Sequence, residues 1–221
     1  MCPNEAVEGS KPSSEFYYKP ARGRHYAGGY CHGLKLLILG DSHHSGTWSE
    51  DAAKEVIDQY VGGENRPFLA KIQRMVAGST ACGEMERRAF WDRVAFTNLI
   101  QQPIGDASDM PSYAQWRHAW SCFPSIIRYT MPDVIFVFTR RGWNIQEKFE
   151  TEFIGSNGLE DIRPAHRPRD YAWHYDFSSI EPGRGAIAGC FNHPSRNTEP
   201  DKWHLWAARL LAEAPAVLGK A

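Results

Sequence analysis

The sequence predicts an α/β protein: a three-layer α/β/α domain around a central four-stranded parallel sheet. Two observations carry that expectation. First, short continuous apolar runs recur at LKLLILG (34 to 40), DRVAFTN (92 to 98), PDVIFVFT (132 to 139) and GAIAGCF (185 to 191). Runs without polar alternation fit strands buried on both faces. Second, segments of helical period separate these runs. Strands alternating with helices pair in parallel and carry helices on both faces.

The elements follow in order. Residues 1 to 33 are rich in Gly, Pro, Ser, Tyr and charge, which predicts a loosely ordered arm before a single domain over 34 to 221. The arm mixes aromatic and basic groups at Tyr17, Tyr18, Lys19, Arg22 and Arg24, suited to a solvated tail or to nucleic-acid contact. The first helix, SEDAAKEVIDQYV (49 to 61), starts at Ser49 as a cap, and RPFLAKIQRMVAG (66 to 78) ends on a glycine. SYAQWRHAWSCFPSIIRYT (112 to 130) is amphipathic, with Pro124 marking a kink or break, and EPDKWHLWAARLLAEA (199 to 214) closes the domain. No internal repeat or low-complexity linker divides the chain.

Composition narrows the function. The 221 residues are 42% hydrophobic and 13% aromatic, enough for one sizeable core. A formal net charge of -1 provides no global field for a polyanion, which leaves local patches. One such stretch holds Arg163, His166, Arg167, Arg169, His174, Arg184 and Arg196, read either as phosphate contacts or as a solvated loop. Cys2, Cys31, Cys82, Cys122 and Cys190 form no CxxC pair, so free thiols in a reducing compartment are expected. No run has the length of a membrane span, and the N-terminus lacks a signal-peptide core. A soluble, cytoplasmic monomer is expected. His43 and His44 are adjacent rather than four apart on a helix, and no HExxH or CxxC accompanies them, so neither a metal nor another cofactor is expected.

Parallel sheets bind ligands beyond the carboxyl ends of their strands. The residues after the four runs are Asp41 to His44, Asn98, Thr139 to Arg141, and Asn192 to Arg196. Each has an ordinary reading beside a chemical one. GDSHH (40 to 44) is turn and cap chemistry, or an acid, a hydroxyl and two imidazoles at a site. FNHPSR (191 to 196) is a proline turn, or it sets His193 across the crevice to donate to developing negative charge. Asn98 is a cap, or an amide that reads a base edge with one donor and one acceptor. Phe68 in RPF is core, or a stacking platform for a flat heterocycle.

These pieces in this order resemble the uracil-DNA glycosylase superfamily, nearest its iron–sulfur branch. That branch reads G-E-A-P-G, R-P-F-V-G, I-T-N, P-K-V-I and H-P-S. Here the chain reads GDSHH (40 to 44), RPFLA (66 to 70), FTN (96 to 98), PDVIFVF (132 to 138) and HPS (193 to 195). The resemblance implies that family's fold, and excision of uracil or a related damaged base from DNA by N-glycosidic hydrolysis. It puts Asp41 where the branch has a water-positioning Glu, and Ser42 where classical members place their Asp. It puts Phe68 against the flipped base, Asn98 on the base edge and His193 on the departing anion. Asn192, Ser195 and Arg196 belong to the loop that meets the duplex. His43 and His44 stand where the family has a proline, so either joins the candidates for the water or the base. The cluster cysteines are missing, with Gln102 at one of their places, so no iron–sulfur cluster is expected. The longer spacing from Gly40 to Phe68 suggests a helix inserted over the pocket.

Two rivals share some of these residues. GDS followed late by Asp201-Lys202-Trp203-His204 also resembles the SGNH (GDSL-type) hydrolases, esterases in which Ser42 would be nucleophile, His204 base, Asp201 its orienter and Asn98 part of the oxyanion hole. The other is a DNA-binding relative without chemistry.

Overall fold

The computed structural model describes residues 18–43, 49–78, 83–105, 109–146, 155–167, 169–196 and 199–220. Its elements are β1 (Ala21–Arg22), a 3-10 turn (Tyr26–Gly28), β2 (Leu36–Gly40), α1 (Ala52–Val61), α2 (Pro67–Ala77), α3 (Glu84–Trp91) and β3 (Val94–Asn98). There follow α4 (Tyr113–Thr130), β4 (Val134–Val137), α5 (Arg140–Gln146), β5 (Gly155–Leu159), β6 (Ala172–Asp176), β7 (Gly185–Cys190) and α6 (Pro200–Val217).

The four apolar runs become β2, β3, β4 and β7, and these pair in parallel in the order β3-β2-β4-β7. The sheet, however, has seven strands rather than four, in the order β1-β3-β2-β4-β7-β6-β5. The additions are antiparallel: β1 joins β3 at one edge, and β6 with β5 extends the other. An edge strand needs no continuous apolar run, because one side of it lacks a neighbour. β5 (GSNGL) and the two-residue β1 therefore leave little hydrophobic signal.

Alternation in β2 divides the core. Leu36 and Ile38 face a cluster built from α1, α2, α3 and α6, while Leu37 and Leu39 face one built chiefly from α4. All are fully buried, each such side chain contributing about 1.5–3 kcal/mol. Helices thus cover both faces. α4 is a single helix through Pro124, so the proline does not break it. The helix expected over the pocket is α1, but it packs against α3 and the β1–β3 side of the sheet.

Residues 18–33 are also unlike the loose arm expected. Tyr18 and Tyr26 are buried, β1 is hydrogen-bonded to β3, and the Tyr26 hydroxyl donates to the Thr130 carbonyl at 3.0 Å. Aromatic burial and ladder bonds outweigh the entropy of ordering this polar segment. Residues 1–17, with Tyr17, lie outside the described residues.

No helix among the described residues is long and apolar enough to cross a membrane. Cys31, Cys122 and Cys190 carry free thiols, and burial pushes that of Cys190 up to about 12.

Candidate functional site

The topology fixes where a site can form. From β2 the chain crosses to β3 on one side, then returns past β2 to β4 on the other, and goes on to β7. The crevice between β2 and β4 is therefore a switch point, open at their carboxyl ends. A cleft of about 320 Å³ lies there. Asp41 and Ser42 line it from β2, Thr139, Arg140 and Arg141 from β4, His193, Ser195 and Arg196 from β7, and Asp109, Met110 and Pro111 from the segment before α4.

The loop after β2 is clamped by backbone bonds. Leu99 donates to the Gly40 carbonyl at 3.0 Å, Ile100 to Asp41 at 3.0 Å, and Ile104 to His43 at 3.1 Å. These bonds hold Asp41 and Ser42 at the cleft. His43, expected at the substrate, instead turns inward. It is buried, and its ring packs at 4.3 Å from the Tyr18 ring. His44 lies outside the described residues.

Gly40 is where the inner end of the site is decided. A Cβ built there would fall 2.1 Å from Asn98 Oδ1 and 3.3 Å from the Phe68 ring. Any side chain at position 40 would occupy the place where the amide of β3 and the aromatic of α2 converge. Asn98 is 5% exposed, and its Oδ1 is buried with no hydrogen-bond donor among the described residues. A buried acceptor left so costs about 1–3 kcal/mol. Its backbone carbonyl is held by Gln101 Nε2 at 2.7 Å, and Gln101 Oε1 accepts the Tyr18 N–H at 3.1 Å.

Phe68 also meets His193, ring centroids 5.3 Å apart. The His193 loop is self-bracing: the Ser195 N–H donates to His193 Nδ1 at 3.2 Å, and Ser195 Oγ lies 2.7 Å from the same nitrogen. A backbone N–H can only donate, so Nδ1 presents its lone pair and the ring proton belongs on Nε2. A neutral imidazole in that tautomer is a hydrogen-bond donor through Nε2. Lys71 of α2 ties the loop down by donating to the Pro194 carbonyl at 2.9 Å. Asn192 stands half-buried before it.

On the β4 side, Arg140 makes a bidentate pair with Asp170 at 2.7 and 3.1 Å, and Arg167 joins at 2.7 Å. Burial alone would raise the Asp170 carboxyl, but the two guanidiniums outweigh it and hold it below its ordinary value. The pairing ties Asp170 and Arg167 to Arg140, which lines the cleft.

Asp201 and His204 go elsewhere. His204 Nδ1 donates to the Val76 carbonyl at 3.1 Å, and its ring lies over Gly78, the left-handed residue that ends α2. Asp201 is paired with Arg74 at 3.2 Å. Both serve α2–α6 packing, and neither lines the cleft that holds Ser42, so the Ser42–His204–Asp201 triad is not assembled. Among the described residues, no group of three or more His, Cys, Asp or Glu is placed to hold a metal.

The structure thus brings Asp41, Ser42, His193, Ser195 and Arg196 around one cleft. Phe68 and Asn98 do not line it; they meet at Gly40, one residue before Asp41, and Phe68 packs on His193. Three participants were not singled out from sequence, Lys71, Gln101 and the segment Asp109–Pro111, and Tyr18 was read only as part of a loose arm. Their parts rest on contacts far apart in the chain. Arg140 and Arg141 did carry a signal, their place directly after a strand. The sequence matches no protein-family model and none of the curated proteins compared with it.

Proposed function

We propose that this protein is a DNA glycosylase that flips uracil, or a related damaged base, into the cleft and hydrolyses its N-glycosidic bond. The observation that carries this reading is that Asn98 and Phe68 meet at Gly40, with His193 against the Phe68 ring and Asp41 next in the chain.

The chemistry follows from what each group offers. Breaking the bond puts positive charge on the sugar and negative charge on the base. The buried Oδ1 of Asn98 suits the imide N–H of a uracil-like edge, and its amide N–H₂ suits the neighbouring carbonyl. Phe68 supplies a face for the ring, and stacking on it offsets part of the few kcal/mol that flipping costs. His193, protonated on Nε2, donates to the base oxygen where charge accumulates. The carboxylate of Asp41 stabilises the sugar cation and orients a water toward it. Water attacks the anomeric carbon, the bond to the base nitrogen breaks, and an abasic site and free base remain. Ser195 and Arg196 begin the loop that meets the duplex.

The test is incubation with a labelled oligonucleotide containing one uracil, then alkali to cut abasic sites. The expected result is a cut at the uracil with the wild type and none with His193→Ala. Release by His193→Ala at the wild-type rate would overturn the assignment. If neither uracil nor other modified bases are released while the DNA is still bound, the fold serves recognition without excision.

A further inference from the structure

Four large apolar side chains stand exposed among the described residues: Met85, Met110, Tyr113 and Leu205. Two of them, Met110 at 64% and Tyr113 at 59%, sit on one short segment, and Met110 is part of the cleft wall. Apolar surface of this kind gains nothing from water, and its clustering beside a polar cleft marks a contact surface. The segment is stiff. Pro111 fixes its own φ, and Ser112 forms a reciprocal capping box with Gln115, whose N–H donates to Ser112 Oγ at 3.3 Å while its Oε1 accepts the Ser112 N–H at 2.8 Å. These features fix the backbone on which the two exposed side chains sit.

Their surroundings say what they meet. The Met110 sulfur touches the Arg141 guanidinium. Arg117 follows Tyr113 by one helical turn and is exposed, and Arg196 stands on another rim of the same cleft. Arg141 and Arg196 line the cleft with Asp41 and Asp109, and Arg117 adds an exposed cation one turn beyond Tyr113. Apolar tips flanked by cations match stacked bases flanked by phosphates, and proteins that kink DNA insert such side chains between base steps.

We infer that Met110 and Tyr113 form an apolar wedge that enters the base stack of a DNA duplex beside the flipped nucleotide, from a different rim than Ser195 and Arg196. This rests on the cleft being a base-excision site. The wedge holds the stack open, so it matters for duplex substrates and little for single strands, whose bases are already unstacked.

The experiment measures base release by the full chain from uracil in a duplex and in the same single strand, for wild type and for Met110→Ser with Tyr113→Ser. The expected result is a duplex-to-single-strand ratio that falls about tenfold or more in the double variant. A ratio equal to that of the wild type overturns the wedge. If the wild type releases no base from either substrate, the excision reading fails and the wedge is judged separately, by the fluorescence of 2-aminopurine placed next to an abasic-site analogue in a duplex. Brightening by the wild type that is lost in the double variant upholds the wedge. No brightening, or equal brightening by both proteins, overturns it.

Discussion

His193 shows how a single side chain is prepared for one task. Its Nδ1 accepts from Ser195, so its remaining ring nitrogen is a donor, suited to an anion without carrying a full positive charge of its own. Replacing it with alanine should lower uracil release by about 100-fold or more, read by alkali cleavage, with the melting temperature nearly unchanged. His204→Ala should do the opposite. It removes one hydrogen bond to Val76, costing about 1 kcal/mol in denaturant unfolding, and leaves base release intact. Gly40→Ala is the sharper test of the pocket. The new methyl would collide with Asn98 Oδ1, and one of the two must move. Uracil release should be lost, with a stability penalty of about 1–3 kcal/mol from overpacking. Wild-type activity in Gly40→Ala would mean that Asn98 does not read the base.

At the scale of elements, α2 does two jobs at once. It presents Phe68 at its first turn, and one turn later Lys71 grips the Pro194 carbonyl, so the stacking ring and the His193 loop share one rigid support. Lys71→Met should therefore lower kcat on the order of tenfold or more by loosening the loop, with little change in melting temperature, and Lys71→Arg should restore part of it. The same elements show what was legible in the chain. The four central strands announced themselves because each is buried along nearly its whole length and is therefore mostly apolar. α3 did not, since EMERRAFW buries only Phe90 and Trp91 and is otherwise charged. β5 did not either, because a strand at a sheet edge is defined by its partner's hydrogen bonds more than by its own side chains, and β6 (AWHYD) is only partly buried and carries no continuous apolar run. The strand-end positions of Asp41, Ser42, Asn98, His193, Ser195 and Arg196 were legible, and the structure sets all of them but Asn98 on one cleft. His43 was misplaced, because nothing local to GDSHH tells that the Tyr18 ring claims its imidazole.

Over the whole molecule, charge acts locally. The total is near neutral, so on the proposed reading attraction to DNA would rest on Arg141 and Arg196 at the cleft. Binding of a uracil-free duplex should weaken as salt rises, with a log–log slope of about −0.9 for each phosphate neutralised, and only a few phosphates involved. Arg140 is committed to Asp170, which makes that pair the link between the cleft and the β5–β6 extension. The Asp170 carboxyl lies below its unfolded value of 3.8, so the folded state binds its proton more weakly than the unfolded chain does. The stabilisation is present above that unfolded value and is lost as pH falls through the lower, folded one. Asp170→Asn should flatten this last part of the acid-unfolding curve, measured by circular dichroism in urea between neutral and strongly acid pH.

The sequence by itself determined the α/β class, the parallel centre of the sheet and the strand ends at which reactive side chains gather. Each of these is a local consequence of burial and chain direction. Only the tertiary structure decided the edges of the sheet, the docking of residues 18–33, the meeting of Phe68 and Asn98 at Gly40, and the packing of Phe68 on His193. Those contacts join residues tens to well over a hundred positions apart, and no local propensity encodes which distant side chain will share a given pocket.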